Sequence, residues 1–146
     1  MVMLRPGRIN QPALTHPRET EAMSADPDPK PEPLDEQALT RLRELDPDGR
    51  QGVVRRVLTA YETSLARMIA QLQLQTDTAD PVIVASIAHT LKSSSASAGA
   101  LSLAQACADV EARLRGGQVA NLRHEVHRLV ALAEAAQQSV ATILRG

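Results

Sequence analysis

From Leu34 to the C-terminus, apolar residues recur at three- and four-residue intervals, and no stretch alternates as a half-buried strand does. Leu34, Ala38, Leu42 and Leu45 mark a short first helix, stopped by Asp46-Pro47-Asp48-Gly49. A second helix is predicted from about Gln51 to Gln75. Its stripe is Val54, Val57, Leu58, Tyr61, Leu65, Met68, Ile69 and Leu72. Asp80-Pro81 is a start signal, an N-cap acceptor followed by proline at the first helical position, so a third helix is predicted from Pro81 to Ala98 with Gly99 as its C-cap. A fourth, from about Leu101 to Arg115, has Leu103, Ala106, Cys107, Val110 and Leu114 on one face and ends at Gly116-Gly117. A fifth, from about Val119 to Leu144, turns Leu122, Val126, Leu129, Ala133, Ala136, Val140 and Ile143 inward. Four long amphipathic helices with short, breaker-rich connections predict an all-α fold: an antiparallel up-down four-helix bundle with a short additional N-terminal helix at one end.

Residues 1–33 differ in kind. Seven of the nine prolines lie there, spaced so that no helix can grow, and the apolar residues have no period. Such a segment cannot offset its ordering entropy by burial. A disordered Pro-rich tail is expected over residues 1–33, followed by one helical domain over 34–146, long enough for a single core.

Composition narrows the picture. Hydrophobic residues make up 43 % of the chain, but with no Phe or Trp and one Tyr the packing must be aliphatic. A net charge of −1 gives no electrostatic reason to expect nucleic acid or an anionic membrane as partner. No apolar run approaches the ~20 residues of a membrane span, and no continuous apolar segment of the signal-peptide type opens the chain. The one cysteine, Cys107, leaves no internal disulfide and no cysteine-based metal framework. A cytoplasmic monomer is the expectation.

The candidate chemistry lies in Ile87-Ala88-His89-Thr90-Leu91-Lys92-Ser93-Ser94-Ser95. With the third helix drawn at about 100° per residue and His89 at zero, Ile83, Val84, Ile87, Leu91, Ser94 and Ala98 fall within about 60° of the opposite side. That is a core stripe, which puts His89 toward solvent. Sharing its face are Ala85, Lys92, Ser93 and Ala96. One cation among small side chains leaves the imidazole on low ground, open to a second protein. A metal site is not expected, because His89 has no His, Cys or carboxylate three or four residues away, and His124 and His127 fall on the polar side of the last helix. His16 lies in the tail. A hydrolase would need a pocketed nucleophile and an orienting acid, and the serines after Lys92 read as helix packing. No Walker-type phosphate loop is present. The nucleophilic reading fits better: a neutral imidazole can attack a phosphoryl group, and Lys92, one turn on, is placed to meet its oxygens. The alternative on these residues alone is a plain surface histidine.

His89-Thr90-Leu91-Lys92-Ser93-Ser94-Ser95, followed by Gly99-Ala100, resembles the signature of histidine-containing phosphotransfer (HPt) domains, H-x-L-K-G-S-[SA] and then G-A. The likeness extends from about Leu34 to Leu144. The resemblance implies that His89 accepts phosphate from the aspartyl phosphate of a receiver domain and passes it to another receiver. It also implies that Lys92 stands beside the phosphohistidine, and that Glu111 falls where some members have a Glu or Gln bonded to the imidazole. Arg115, one turn further, is a candidate receiver contact along with Ser93, Ala96 and Ala85. The implied partners are response-regulator receivers and a hybrid sensor histidine kinase. No cofactor is expected on this chain, since the Mg²⁺ of such relays belongs to the receiver. Without an ATP-binding domain the chain is expected to be a phosphocarrier, not an enzyme.

Two positions depart from the pattern. Ser93 replaces the usual Gly after the Lys, and Tyr61 stands where Phe is common, its hydroxyl expected at the bundle edge. The dimerisation domain of a histidine kinase fits less well, because its His is followed by an acidic residue and soon by a Pro. The alternative from a different class is a non-catalytic adaptor that binds a receiver or kinase through the His89 face without transfer.

Overall fold

A computed structural model describes residues 32–146, and the expected tail, but for Glu32 and Pro33, lies outside the described residues. Five helices run in order: α1 (Glu36–Glu44), α2 (Val53–Gln73), α3 (Pro81–Ala98), α4 (Leu101–Arg115) and α5 (Leu122–Arg145). No strand occurs among the described residues. α3 packs most extensively on α4 and α2 on α5. α2 also meets α3, and α4 meets α5, so each long helix has two long neighbours, while α1 lies against α2 and α3.

Local chemistry sets the ends. Asp35 caps α1 by accepting from the Ala38 N–H at 3.0 Å. Asp80 caps α3 through the Val82 N–H at 2.9 Å, with Pro81 at the first position. α2 begins after Gly52, which has φ +60° and no side chain to cap with. The buried Asp46 supplies the carboxylate instead, accepting from the N–H groups of Gln51 and Val53 at 3.1 and 3.2 Å. Burial works against the charge on Asp46, but these donors outweigh it and hold the carboxyl below its usual range. α5 starts three residues later than its apolar period suggests. Gln118 N–H bonds back to the Arg113 carbonyl, and Asn121 takes up the His124 N–H at 3.1 Å, so residues 118–121 form a connection.

The core is aliphatic. Leu58, Leu65 and Leu72 of α2, Val84 and Leu91 of α3, Val110 of α4, and Val126, Leu129 and Val140 of α5 are fully buried. At about 25 cal/mol per Å², each fully buried Leu or Val contributes about 1.5–3 kcal/mol to the apolar driving force. Some positions differ from expectation. Leu45 is 70 % exposed, because it caps α1 where the chain turns Asp46 inward, and Leu39 is buried instead. On α3 the buried stripe is Val84, Ile87, Ala88, Leu91, Ser95 and Ala98, turned by about 40° from the expected one. Ile83 is 44 % exposed and Ser94 half-buried. The turn brings the small residues Ala88 and Ser95 into the core, where α4 offers Ala104, Ala106 and Cys107. The Tyr61 hydroxyl is not at the bundle edge either. It is buried and shares a hydrogen bond of 2.7 Å with the Ser95 hydroxyl.

The segment before α1 is tied across the bundle. Leu34 is buried ahead of the helix rather than on it, and the Asp35 N–H donates to the Gly99 carbonyl at 2.9 Å. Ser102 donates to the Glu32 carboxylate and Ser139 to the Glu32 carbonyl. Gly99 has φ +90°, and a Cβ there would stand 3.0 Å from the Asp35 nitrogen and 3.2 Å from the Ala38 Cβ. Only glycine permits that approach.

Candidate phosphotransfer site

The turn at Gly99-Ala100, closed by the Ala100 N–H on the Ser95 carbonyl at 2.8 Å, sends α4 back alongside α3. Residue 111 of α4 thereby meets residues 89 and 92 of α3. His89 sits at mid-helix with its side chain 66 % exposed. Ser93 and Ala96 are exposed on its side of α3 and Ala85 is half-buried, as the helical phase predicts.

Glu111 is the centre of the group. Its side chain is only 8 % exposed, yet it gathers three nitrogens. His89 Nδ1 lies 2.8 Å from Oε2, Lys92 Nζ lies 2.7 Å from Oε1, and Arg115 Nη1 lies 3.4 Å from Oε2. Lys92 first, then His89, hold the Glu111 carboxyl below the usual carboxylate range against the burial that opposes its charge. An ionised carboxylate only accepts, so Nδ1 is the donor. In the neutral ring Nε2 then keeps its lone pair on the side away from Glu111. A carboxylate-held imidazole with a bare, exposed nitrogen can act as a nucleophile without a separate base.

Beneath the site the packing is tight. Cys107, one turn before Glu111, is buried, and burial first, then the Glu111 charge, pushes its thiol up to about 12, so it remains a neutral packing group. Burial likewise pushes the Tyr61 hydroxyl up to about 12 despite its bond to Ser95. His124 and His127 are both exposed on α5, and no group of three metal-ligating side chains occurs among the described residues. No helix among the described residues is long and apolar enough to cross a membrane.

The residues singled out on α3 thus come together with both positions supplied by the family pattern on α4. The periodicity of the chain does not disclose Glu111, because an acid 22 positions from His89 becomes its neighbour only through the α3–α4 turn. The Arg115–Glu111 contact is legible as an i, i+4 pair. The Tyr61–Ser95 bond has no local signal.

Compared with known protein families, the chain matches the Hpt domain over residues 56–139, more than half its length and inclusive of His89, Lys92, Glu111 and Arg115. Comparison with curated proteins and with solved structures returns no match. The Hpt domain is a helical-bundle phosphocarrier module of two-component signalling, acting with receiver domains and histidine kinases. A match of that extent, over a five-helix fold that sets a His-x-x-Lys pair on an exposed helix face, makes the chain a member of the Hpt domain family.

Proposed function

We propose that this chain is an intermediate in a multistep phosphorelay, taking a phosphoryl group onto His89 from one receiver and passing it to another. The observation that carries the reading is the 2.8 Å bond from His89 Nδ1 to a buried, ionised Glu111, with the rest of the ring open to solvent. In the forward step Nε2 attacks the phosphorus of a receiver's aspartyl phosphate. The Nε2–P bond forms, the P–O bond to the aspartate breaks, and the carboxylate leaves. The Nδ1 proton stays toward Glu111 throughout, so the ring carries positive charge beside a carboxylate.

Glu111 orients the ring. Lys92, 34 % exposed, offsets the charge on the incoming phosphoryl group by sharing its ammonium between that group and Glu111. Ala85, Ser93 and Ala96 keep the approach low for a docking receiver, and the exposed Arg115 offers it a cation at the rim. The helices form an antiparallel up-down four-helix bundle, with residues 34–146 as the transfer unit and residues 1–33 as a Pro-rich tail. The donor is a hybrid sensor kinase, the carrier is a cytoplasmic monomer without a cofactor of its own, and the Mg²⁺ is the receiver's.

Mapping of the label after incubation with a phosphorylated receiver tests this. A single phosphoryl group on His89, labile in acid and stable in base, is the expected result. Label that maps to a serine, or survives acid, contradicts it.

A further inference from the structure

The two edges of the His89 ring face different surroundings. With α3 drawn at about 100° per residue and His89 at zero, Ala88 and Lys92 lie at about −100° and −60°, toward α4. Ser86 and Ser93 lie at about +60° and +40°, on the other side. Glu111 takes the Nδ1 edge and draws the Lys92 ammonium to 2.7 Å, both from the α4 side. The edge bearing Nε2 is therefore left to the side of Ser86, three residues before, and Ser93, four residues after. Each is a surface neighbour of His89, since positions so spaced place their Cβ atoms about 5–6 Å apart on a helix.

Both hydroxyls are exposed. Some helical Ser and Thr in this chain donate to the carbonyl four residues back, as Thr63, Ser94 and Thr142 do at 3.0–3.2 Å, and others, such as Thr59 and Thr90, do not. Neither the Ser86 nor the Ser93 hydroxyl has a hydrogen-bond partner among the described residues, so both keep a free donor. A phosphoryl group brings three acceptor oxygens and nearly two negative charges.

We propose that Ser93, with Ser86 on the other side of His89, forms a hydroxyl cradle that hydrogen-bonds the phosphoryl group on His89 Nε2 and prolongs its life. The proposal rests on His89 being the phosphoacceptor. It gives the serine that replaces the family's glycine a positioning role distinct from receiver docking.

The test needs no partner protein. Phosphoramidate phosphorylates the full chain: Nε2 attacks phosphorus, the P–N bond to the ammonia nitrogen breaks, and ammonia leaves. The lifetime of the label and its ³¹P chemical shift are then followed in wild type, Ser93→Ala, Ser93→Gly and Ser86→Ala, with thermal melts to show each is folded. Loss of one exposed hydrogen bond to a charged group should shorten the lifetime by about fivefold in both Ser93 variants, less in Ser86→Ala, with displaced ³¹P resonances. Lifetimes unchanged or longer in both Ser93 variants, with the resonance unmoved, overturn the cradle. If receiver-driven transfer alone then changes, Ser93 is a docking residue only. A wild-type chain that takes no label on His89 overturns the phosphoacceptor reading beneath the proposal, an outcome distinct from a label of unchanged lifetime.

Discussion

Glu111 serves three nitrogens with one nearly buried carboxylate, so its removal reaches further than one hydrogen bond. In Glu111→Ala the ring loses its orienting acceptor and Lys92 its counter-charge. Phosphoryl acceptance by His89 should fall by about tenfold or more, the order expected when a hydrogen bond to a charged group is lost from the reacting geometry. Glu111→Gln, which keeps an acceptor for Nδ1, should retain more activity than Glu111→Ala, and equal rates in the two would deny Glu111 an orienting role. The direction of the acid dependence follows from the same contacts. Because the folded chain holds the Glu111 carboxyl below its usual range, the stability it contributes is present above the ordinary carboxylate range and is lost as pH falls through the lowered value. What the sequence discloses at this scale is uneven. His89, Lys92 and Ser93 share a helix, so their relation follows from its pitch alone. The partners of His89 and of Tyr61 come from other helices, and only a tertiary arrangement or a family pattern supplies them.

At the scale of the helix, α3 carries the phase on which the site depends. Leu91 is fully buried and Ile83 is 44 % exposed. Leu91→Ala should therefore cost about 2–5 kcal/mol, and Ile83→Ala well under half as much. Thermal melts giving the two the same cost would mean that the helix is turned otherwise and that His89 does not face solvent as described. Gly99→Ala should also destabilise, by about 1 kcal/mol or more, because it combines an unfavourable φ with a Cβ pressed on the Asp35 backbone. A melting temperature unmoved by that change would count against the strap before α1. The limits of α3 and α4 follow from Asp80-Pro81, Gly99 and Gly116, since caps and breakers act locally. The 40° turn of α3 does not. Large apolar residues mark Ile83 for the core, whereas close packing on α4 selects the small Ala88 and Ser95. Leu45 and the start of α5 escape the periodicity for a related reason: an apolar period continues past a helix end that Asp46 or Asn121 determines by hydrogen bonding.

For the whole molecule, an aliphatic core with two buried weak acids makes a distinct alkaline prediction. Tyr61 and Cys107 are both raised to about 12, from ordinary values of 10.0 and 9.0. Each favours the unfolded chain once it ionises, so its contribution to stability is complete below the ordinary value and is lost as pH rises from about 9 toward 12. Denaturant titrations from about pH 8 to 11 should show a falling midpoint, and the fall should be smaller in Cys107→Ala and in Tyr61→Phe. A flat profile in wild type would place these groups in water. Within that scaffold the His89 side chain is mostly exposed, and a glutamine in its place can still donate to Glu111, so the bundle and its chemistry can be separated.

That separation allows phosphoryl transfer from a phosphorylated receiver, through this chain, to a second receiver to be followed with wild type and His89→Gln side by side. Wild type should become labelled and then discharge onto the second receiver, while His89→Gln should melt at nearly the wild-type temperature and carry no label, as expected if His89 is the phosphoacceptor. Equal labelling of the two proteins, or receiver binding by wild type with no label at all, would contradict it; the second result is what a non-catalytic adaptor would give.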